Sequence, residues 1–378
     1  MILGGGIVGA GVARDAAMRG LSVTLLEKHT VGWGTSSRSS RLAHGGIRYL
    51  ETGDIALVRE SLAERATLLK IAPALVRPVP FLFVLDRGAW WQWLRVGAGV
   101  TLYGALAGHR ALGPHHPLTR RGLNHREPML ASAPLQGGAI YQDARCDDLG
   151  LVHATIRSAT CHGATVVEHC HATVTTGNGG VSATLSGGAV IRARTLVIAT
   201  GPWTDAVRRE LGLSDRHLVG GTKGIHITVP LARLPLTHAI ALRHPDDQRV
   251  MFCIPEPERD RVVIGTTDTD TDESPDALTV ADADVAYLLR AVRHLFPDRE
   301  LGGSDIVDQW AGVRPLLRQV GAASSRSREH LMLREGMVLT IAGGKLTTYR
   351  AMAEEAVDLL GGMLSRTLPA SRTAEELL

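Results

Sequence analysis

The chain has 378 residues, 44% of them hydrophobic and 21% charged, a mixture that excludes a disordered polar chain and is long enough for two domains of roughly 100–200 residues each. A net charge of +3 and a pI near 8.8 are too small an excess to imply nucleic acid, and no basic, aromatic-rich module accompanies them. The four cysteines, Cys146, Cys161, Cys170 and Cys253, contain no C-x-x-C pair, which excludes a disulfide framework and favours a reducing cytoplasm.

Residues 1–3 are an apolar run, and glycines begin at the fourth residue, so no signal peptide is expected ahead of them. Gly4, Gly6 and Gly9 fit G-x-G-x-x-G: a tight turn, close backbone approach to a diphosphate, and close helix–strand packing. Residues 7–19 read as a helix whose positive N-terminal end faces that diphosphate, and 22–26 as a second strand. Glu27, 18 residues after Gly9, ends this strand where an adenosine ribose needs an acceptor. Together they predict a dinucleotide site, with FAD and NAD undecided at this point. A first strand of three residues is short against a usual 5–6, so translation starts upstream or the strand is clipped.

Farther along, Gly34-Thr35-Ser36-Ser37-Arg38-Ser39-Ser40 and His44-Gly45-Gly46-Ile47-Arg48-Tyr49-Leu50-Glu51 offer hydroxyl donors and close backbone approach, as a phosphate or flavin requires. Asp54 can cap a helix that Pro73 stops, and 80–85 reads as a short strand. Between Arg87 and Arg126 there is no acid, while Arg95, Arg110, Arg120 and Arg121 lie among Trp90, Trp91, Trp93 and Tyr103. About 18 residues with Arg95 and several glycines do not suit a spanning helix, so an amphipathic segment lying in an anionic membrane interface is expected. A helix follows over 149–162. Cys161-His162 and His169-Cys170-His171 invite a metal reading, but periodicity puts one cysteine at a helix end and the other in an alternating strand, so no metal is expected. Asn178-Gly179 marks a hairpin, and 195–199 a buried strand. Strands at 226–229, 250–255 and 261–266, with a helix near 280–295, make a mixed sheet. Strands at 306–313 and 337–341 and a helix over 347–361 return toward the nucleotide domain.

The motif run resembles the FAD-dependent glycerol-3-phosphate dehydrogenases, within the D-amino-acid-oxidase-like flavoproteins. Beside H-G-G-x-R-Y, the matching residues are Tyr141, Asp143, Asp147 and Asp148, then Ala199-Thr200-Gly201-Pro202-Trp203 and Gly265-Thr266-Thr267-Asp268. Gly312-Val313-Arg314-Pro315 and Gly343-Gly344-Lys345-Leu346-Thr347-Thr348-Tyr349-Arg350 follow in the family's order, making six motifs across about 350 residues. The resemblance implies FAD, oxidation of sn-glycerol 3-phosphate to dihydroxyacetone phosphate, and electrons passed to quinone, on the inner face of the cytoplasmic membrane. It implies an α/β fold, with a Rossmann-like FAD-binding domain (1–75, 136–205 and 305–378) and a discontinuous mixed α+β substrate domain (76–135 and 206–304). The helical C-terminal domain of respiratory relatives is expected to be absent, and a homo-oligomer is left open.

For the site, the resemblance implies that Gly4, Gly6, Gly9, Glu27, Thr35, Ser36, Ser37, Ser39, His44, Gly45, Gly46, Thr200, Gly201, Trp203, Gly343, Gly344, Lys345, Leu346 and Thr347 hold the cofactor. Arg48, Tyr49, Lys223, Thr266, Arg314, Arg328 and Lys345 would take the substrate, because a phosphate dianion calls for several fixed cations. His226 is favoured as general base and His44 competes with it, Arg314 and Lys345 completing the catalytic set. A flavin oxidase of another small hydroxy or amino acid is the rival enzyme reading, and a truncated non-catalytic flavoprotein the rival of a different class.

Overall fold

Two apolar residues seat the first strand: Ile2–Leu3 runs parallel to Leu196–Ile198 on one side and to Thr24–Leu26 on the other. This is the middle of a six-stranded sheet in a computed structural model that describes residues 1–51, 53–88, 90–177, 180–214, 216–271, 273–318 and 330–378. Thr165–Val167 extends the sheet beyond Thr24–Leu26, while Val338–Gly343 and the antiparallel His330–Glu335 extend it beyond Leu196–Ile198. Parallel strands joined by helical crossovers must be covered, and the helices Ile7–Met18, Asp148–Cys161 and Tyr349–Met363 supply one apolar cluster with Leu25, Val197 and Leu339. A three-stranded meander, Ala172–Gly177, Gly180–Leu185 and Val190–Ala193, joins the other face. The turn Asn178-Gly179 lies outside the described residues, although Gly177 and Gly180 on either side are paired.

The second sheet is larger, and its central members are Val219–Pro230, Arg261–Gly265, Val250–Glu256, Ala239–Arg243, Val76–Asp86 and Leu135–Cys146. Asp308–Leu317 also belongs here, paired antiparallel over ten residues with Val219–Thr228. The domain bounds implied by the resemblance put 136–146 and 308–317 with the nucleotide domain. The structure assigns both to the larger sheet, because their backbone partners are distant strands that local alternation cannot reveal. The strand expected over 80–85 is likewise longer, Val76–Asp86. Pro78 and Pro80 are tolerated because the second neighbour, Ala239–Arg243, pairs only with Phe81, Leu82 and Phe83.

Helix Ile55–Ile71 starts where expected, with Asp54 accepting from the Leu57 N–H at 2.9 Å. It joins the two halves: Leu68 and Ile71 enter the nucleotide-domain cluster, while Val58 and Leu62 enter a cluster with Phe81 and Tyr141. The bidentate Arg350–Glu64 pair (2.8 and 2.7 Å) clamps it to the last helix.

Candidate active site

A cavity of about 1090 Å³ runs from the glycine turn to the edge of the larger sheet, above the roughly 300–1,000 Å³ of sites for drug-sized ligands. Gly4 and Gly6 line its first end. Gly4 has φ +101°, and a Cβ on Gly9 would overlap the Gly4 carbonyl, so the turn admits no side chain at either position. Helix Ile7–Met18 begins beside them with N-cap Gly6 and no capping side chain; Ser36 Oγ accepts from the Ile7 N–H at 2.9 Å. Glu27 accepts from the Gly5 N–H at 2.6 Å and the His29 N–H at 2.8 Å while lining the cavity, so its carboxylate is fixed beside the glycine turn.

The hydroxyl run is distributed by function. Thr35 lines the cavity and donates to the Val313 carbonyl at 2.6 Å, tying this segment to the Gly312-Val313-Arg314 strand. Ser37 turns back onto Trp33 and Gly34 carbonyls and is not among the lining residues. Ser39 lines the cavity but donates to Asp148 at 2.8 Å. The three acids of the 141–148 motif thus acquire separate tasks. Asp147 caps the helix through Gly150 N–H (3.0 Å), Asp148 holds Ser39, and Asp143 accepts from the Gly45 N–H at 2.7 Å and from Arg65 at 3.0 Å. Complete burial pushes the Asp143 carboxyl up to about 6, against the pull of Arg65 and the Gly45 N–H.

His44 lines the cavity, while Gly45 and Gly46 support it from behind, with Tyr103 and Leu62 against Gly45 and Tyr49 against Gly46. Arg48 and Tyr49 lie on the short turn Ile47–Leu50, outside the cavity lining. Tyr49 still acts on the site, because Lys345 Nζ stands 4.5 Å above its ring and donates to Ser61 at 2.5 Å. From the far wall Thr200, Gly201 and Trp203 enter on one turn, and Gly343, Gly344, Lys345, Leu346 and Thr347 on another. Asp276, unread in the sequence, accepts from Trp203 Nε1 at 3.1 Å and pairs with Lys28 at 3.2 Å across the rim.

Arg314 is the fixed cation of the inner end. Its guanidinium donates to Thr266 Oγ1 at 2.6 Å, to the Thr267 carbonyl at 3.1 Å and to Asp268 at 3.2 Å. A Cβ on Gly224 would stand 2.5 Å from Nη2, so the glycine makes room for it. Thr266 therefore positions Arg314 and is not itself a lining residue. His226 lies two residues beyond Gly224 on the same strand face, stacked on Trp310 at 5.1 Å, with Nε2 at 2.9 Å from Ser40. Burial, with Arg314 and Arg41 nearby, holds its pKa well below the usual 6.5. Lys223 departs from expectation. Strand side chains alternate, so its ammonium leaves on the opposite face, reaches Asp284 at 3.1 Å and is absent from the cavity lining. Arg328 lies outside the described residues.

Comparison with known proteins bears on the family and the fold. The family described as FAD dependent oxidoreductase matches residues 1–358. An aerobic glycerol-3-phosphate dehydrogenase of Staphylococcus haemolyticus is 35% identical over 97% of this chain and 67% of its own length. Glycerol-3-phosphate dehydrogenase 2 of Mycobacterium tuberculosis is 38% identical over 95% of this chain and 62% of its own length, so the chain spans about two thirds of these relatives. Among solved structures, a glycerol-3-phosphate dehydrogenase from Bacillus halodurans complexed with FAD superposes with TM-score 0.76 at 29% identity, covering 98% of this chain and 66% of that one. L-alpha-glycerophosphate oxidase from Mycoplasma pneumoniae has TM-score 0.77 at 16% identity over 100% of this chain and 97% of that one, a likeness of fold alone.

Proposed function

The chain belongs to the FAD dependent oxidoreductase family, and we propose that it oxidises sn-glycerol 3-phosphate to dihydroxyacetone phosphate. The observation that carries this reading is Arg314, a guanidinium pre-oriented by Thr266 and Asp268 at the cavity end that also holds Ser40 and His226. Lys345 brings a second cation to the same cavity. Charge-assisted hydrogen bonds of this kind contribute about 1.5–3 kcal/mol each, enough to select a phosphorylated alcohol over a neutral one. The names of the curated relatives point to the same substrate.

The residues fit the cofactor: the glycine turn, the helix start beside it and Glu27 suit the diphosphate and ribose, and the turns at 200–203 and 343–347 bound the remaining length. When bound, FAD supplies a hydride acceptor. The protein has three tasks left: to bind the phosphate, to orient the secondary alcohol and to take its hydroxyl proton. His226 suits the last, since an imidazole held neutral by burial is ready to accept a proton. His44 lines the same cavity and is the competing base. Steady-state oxidation with an artificial electron acceptor tests the assignment: glycerol 3-phosphate should be turned over, with dihydroxyacetone phosphate as product, and glycerol should not. Equal turnover of the two alcohols would remove the phosphate-binding role.

Quinone is the proposed acceptor, reached from a membrane surface. Among the described residues no helix is long and apolar enough to cross a membrane. Helix Trp90–Ala107 supports peripheral docking instead: Trp90 is 73% exposed, Trp91 49%, Leu94 50% and Leu102 45%, all on its outer face. Arg95 stacks over Trp91 at 5.6 Å, and no acid lies between Arg87 and Arg126, so an anionic bilayer is the complementary partner. Two aromatics expected at this interface face inward: Trp93 donates to the Leu118 carbonyl at 2.9 Å, and Tyr103 is fully buried.

A further inference from the structure

Ser40 closes the hydroxyl-rich run and lines the cavity, and its Oγ lies 2.9 Å from Nε2 of His226, 186 residues away. The imidazole has little freedom to turn. It stacks on Trp310 at 13° between planes, and its other neighbour in the sheet is Gly265, where a Cβ would overlap the ring. His226 is only 2% exposed, and its Nδ1 is buried with no hydrogen-bond partner among the described residues. A proton therefore reaches this ring through Nε2, and the Ser40 hydroxyl stands at that nitrogen.

Resting on the reading of the cavity as an alcohol-oxidising site, we propose that Ser40 relays the substrate proton to His226. The substrate O–H bond breaks as an Oγ–H bond forms on Ser40, and the original Ser40 proton passes to His226 Nε2. Bound FAD would supply the acceptor for the hydride of the carbinol carbon, so one proton to Ser40 and one hydride would account for the two-electron oxidation to a carbonyl. The charged groups around the ring favour a brief stay. Arg314, paired with Asp268, and Arg41, paired with Glu256, stand near it and disfavour a further positive charge. Nothing in the serine run itself shows which of its hydroxyls meets a histidine 186 residues along the chain.

The test uses FAD-loaded protein in two arms. In anaerobic stopped flow, Ser40→Ala should slow flavin bleaching by glycerol 3-phosphate on the order of 10²-fold, as loss of general-base transfer does. Its substrate dissociation constant should stay within about threefold, since the loss falls on the transition state. Ser40→Thr, which keeps a hydroxyl, should restore most of the rate. In the second arm, nitrogen-15 NMR without substrate should show His226 protonated at Nδ1, with an Nε2 resonance that shifts in Ser40→Ala. A bleached wild type whose Ser40→Ala variant keeps its rate, a Ser40→Thr variant as slow as Ser40→Ala, or an Nε2 resonance indifferent to the change would each overturn the relay alone. A wild type that glycerol 3-phosphate does not bleach overturns the substrate reading and the relay with it.

Discussion

Arg314 is held on three sides before any substrate arrives, and that pre-orientation is why its loss should be costly. Arg314→Ala removes a fork already fixed by Thr266, Thr267 and Asp268, so kcat/KM should fall by an amount equivalent to about 2–4 kcal/mol. Arg314→Lys should recover little, because an ammonium cannot keep the same directed bonds. Unchanged kcat/KM in either variant would take Arg314 out of the site. His226 yields a pH prediction whose sign follows from its lowered pKa. A base acts when neutral, so the His226 acid limb of kcat/KM, which reports the free enzyme, should lie below pH 6.5 and vanish in His226→Gln. A limb at or above 6.5 that persists in the variant would transfer the role to another group. The same shift acts on stability. Below about pH 6.5 the unfolded chain binds a proton that the folded one refuses, so the fold weakens as pH falls toward the lower folded value.

Helix Trp90–Ala107 turns two faces to two surroundings. Gly97, Val100, Tyr103 and Ala107 are buried, and a Cβ on Gly45 would overlap the Tyr103 hydroxyl, so the inner face lies directly behind the His44-Gly45 loop. The outer tryptophans leave the inner contacts alone. Trp90, Trp91 and Leu94 changed to Ser should weaken sedimentation with anionic liposomes while preserving flavin content, and high salt should weaken the wild type too. Wild-type protein left in the supernatant at low salt would make the helix face idle toward lipid. On the inner side, Arg65 is completely buried and paired with Asp143. Asp143→Asn leaves that guanidinium without its counter-charge, but the burial that raises the Asp143 pKa already sets a cost against the ionised pair, so unfolding stability should fall by about 1–3 kcal/mol. Denaturant unfolding measures it, and a loss under about 1 kcal/mol would show that Gln142 and Arg110 carbonyls suffice for Arg65.

Across the whole molecule, the features readable in advance were those written locally. The glycine turn, Glu27, the Asp54 cap and the helices near 148–161, 282–295 and 349–363 each announce themselves within a few residues. Strand alternation also turns Lys223 to the face opposite His226, three residues farther along the same strand. What was not legible depends on pairing at a distance. Asp308–Leu317 reads as any apolar strand, and only its register against Val219–Thr228 puts Trp310 under His226 and Arg314 near Gly224. Asp276 at the rim is likewise an ordinary loop acid until the fold brings Lys28 and Trp203 to it. These long-range pairings bring the Arg314 guanidinium and the buried His226 imidazole to one cavity, and the proposed substrate assignment depends on their proximity. Anaerobic titration of the FAD-loaded protein, followed at the oxidised flavin band, tests it most directly. Bleaching by sn-glycerol 3-phosphate at a stoichiometry of one per flavin, with glycerol inert at the same concentration, is the result expected; a flavin that glycerol bleaches as readily, or that glycerol 3-phosphate leaves oxidised, would contradict it.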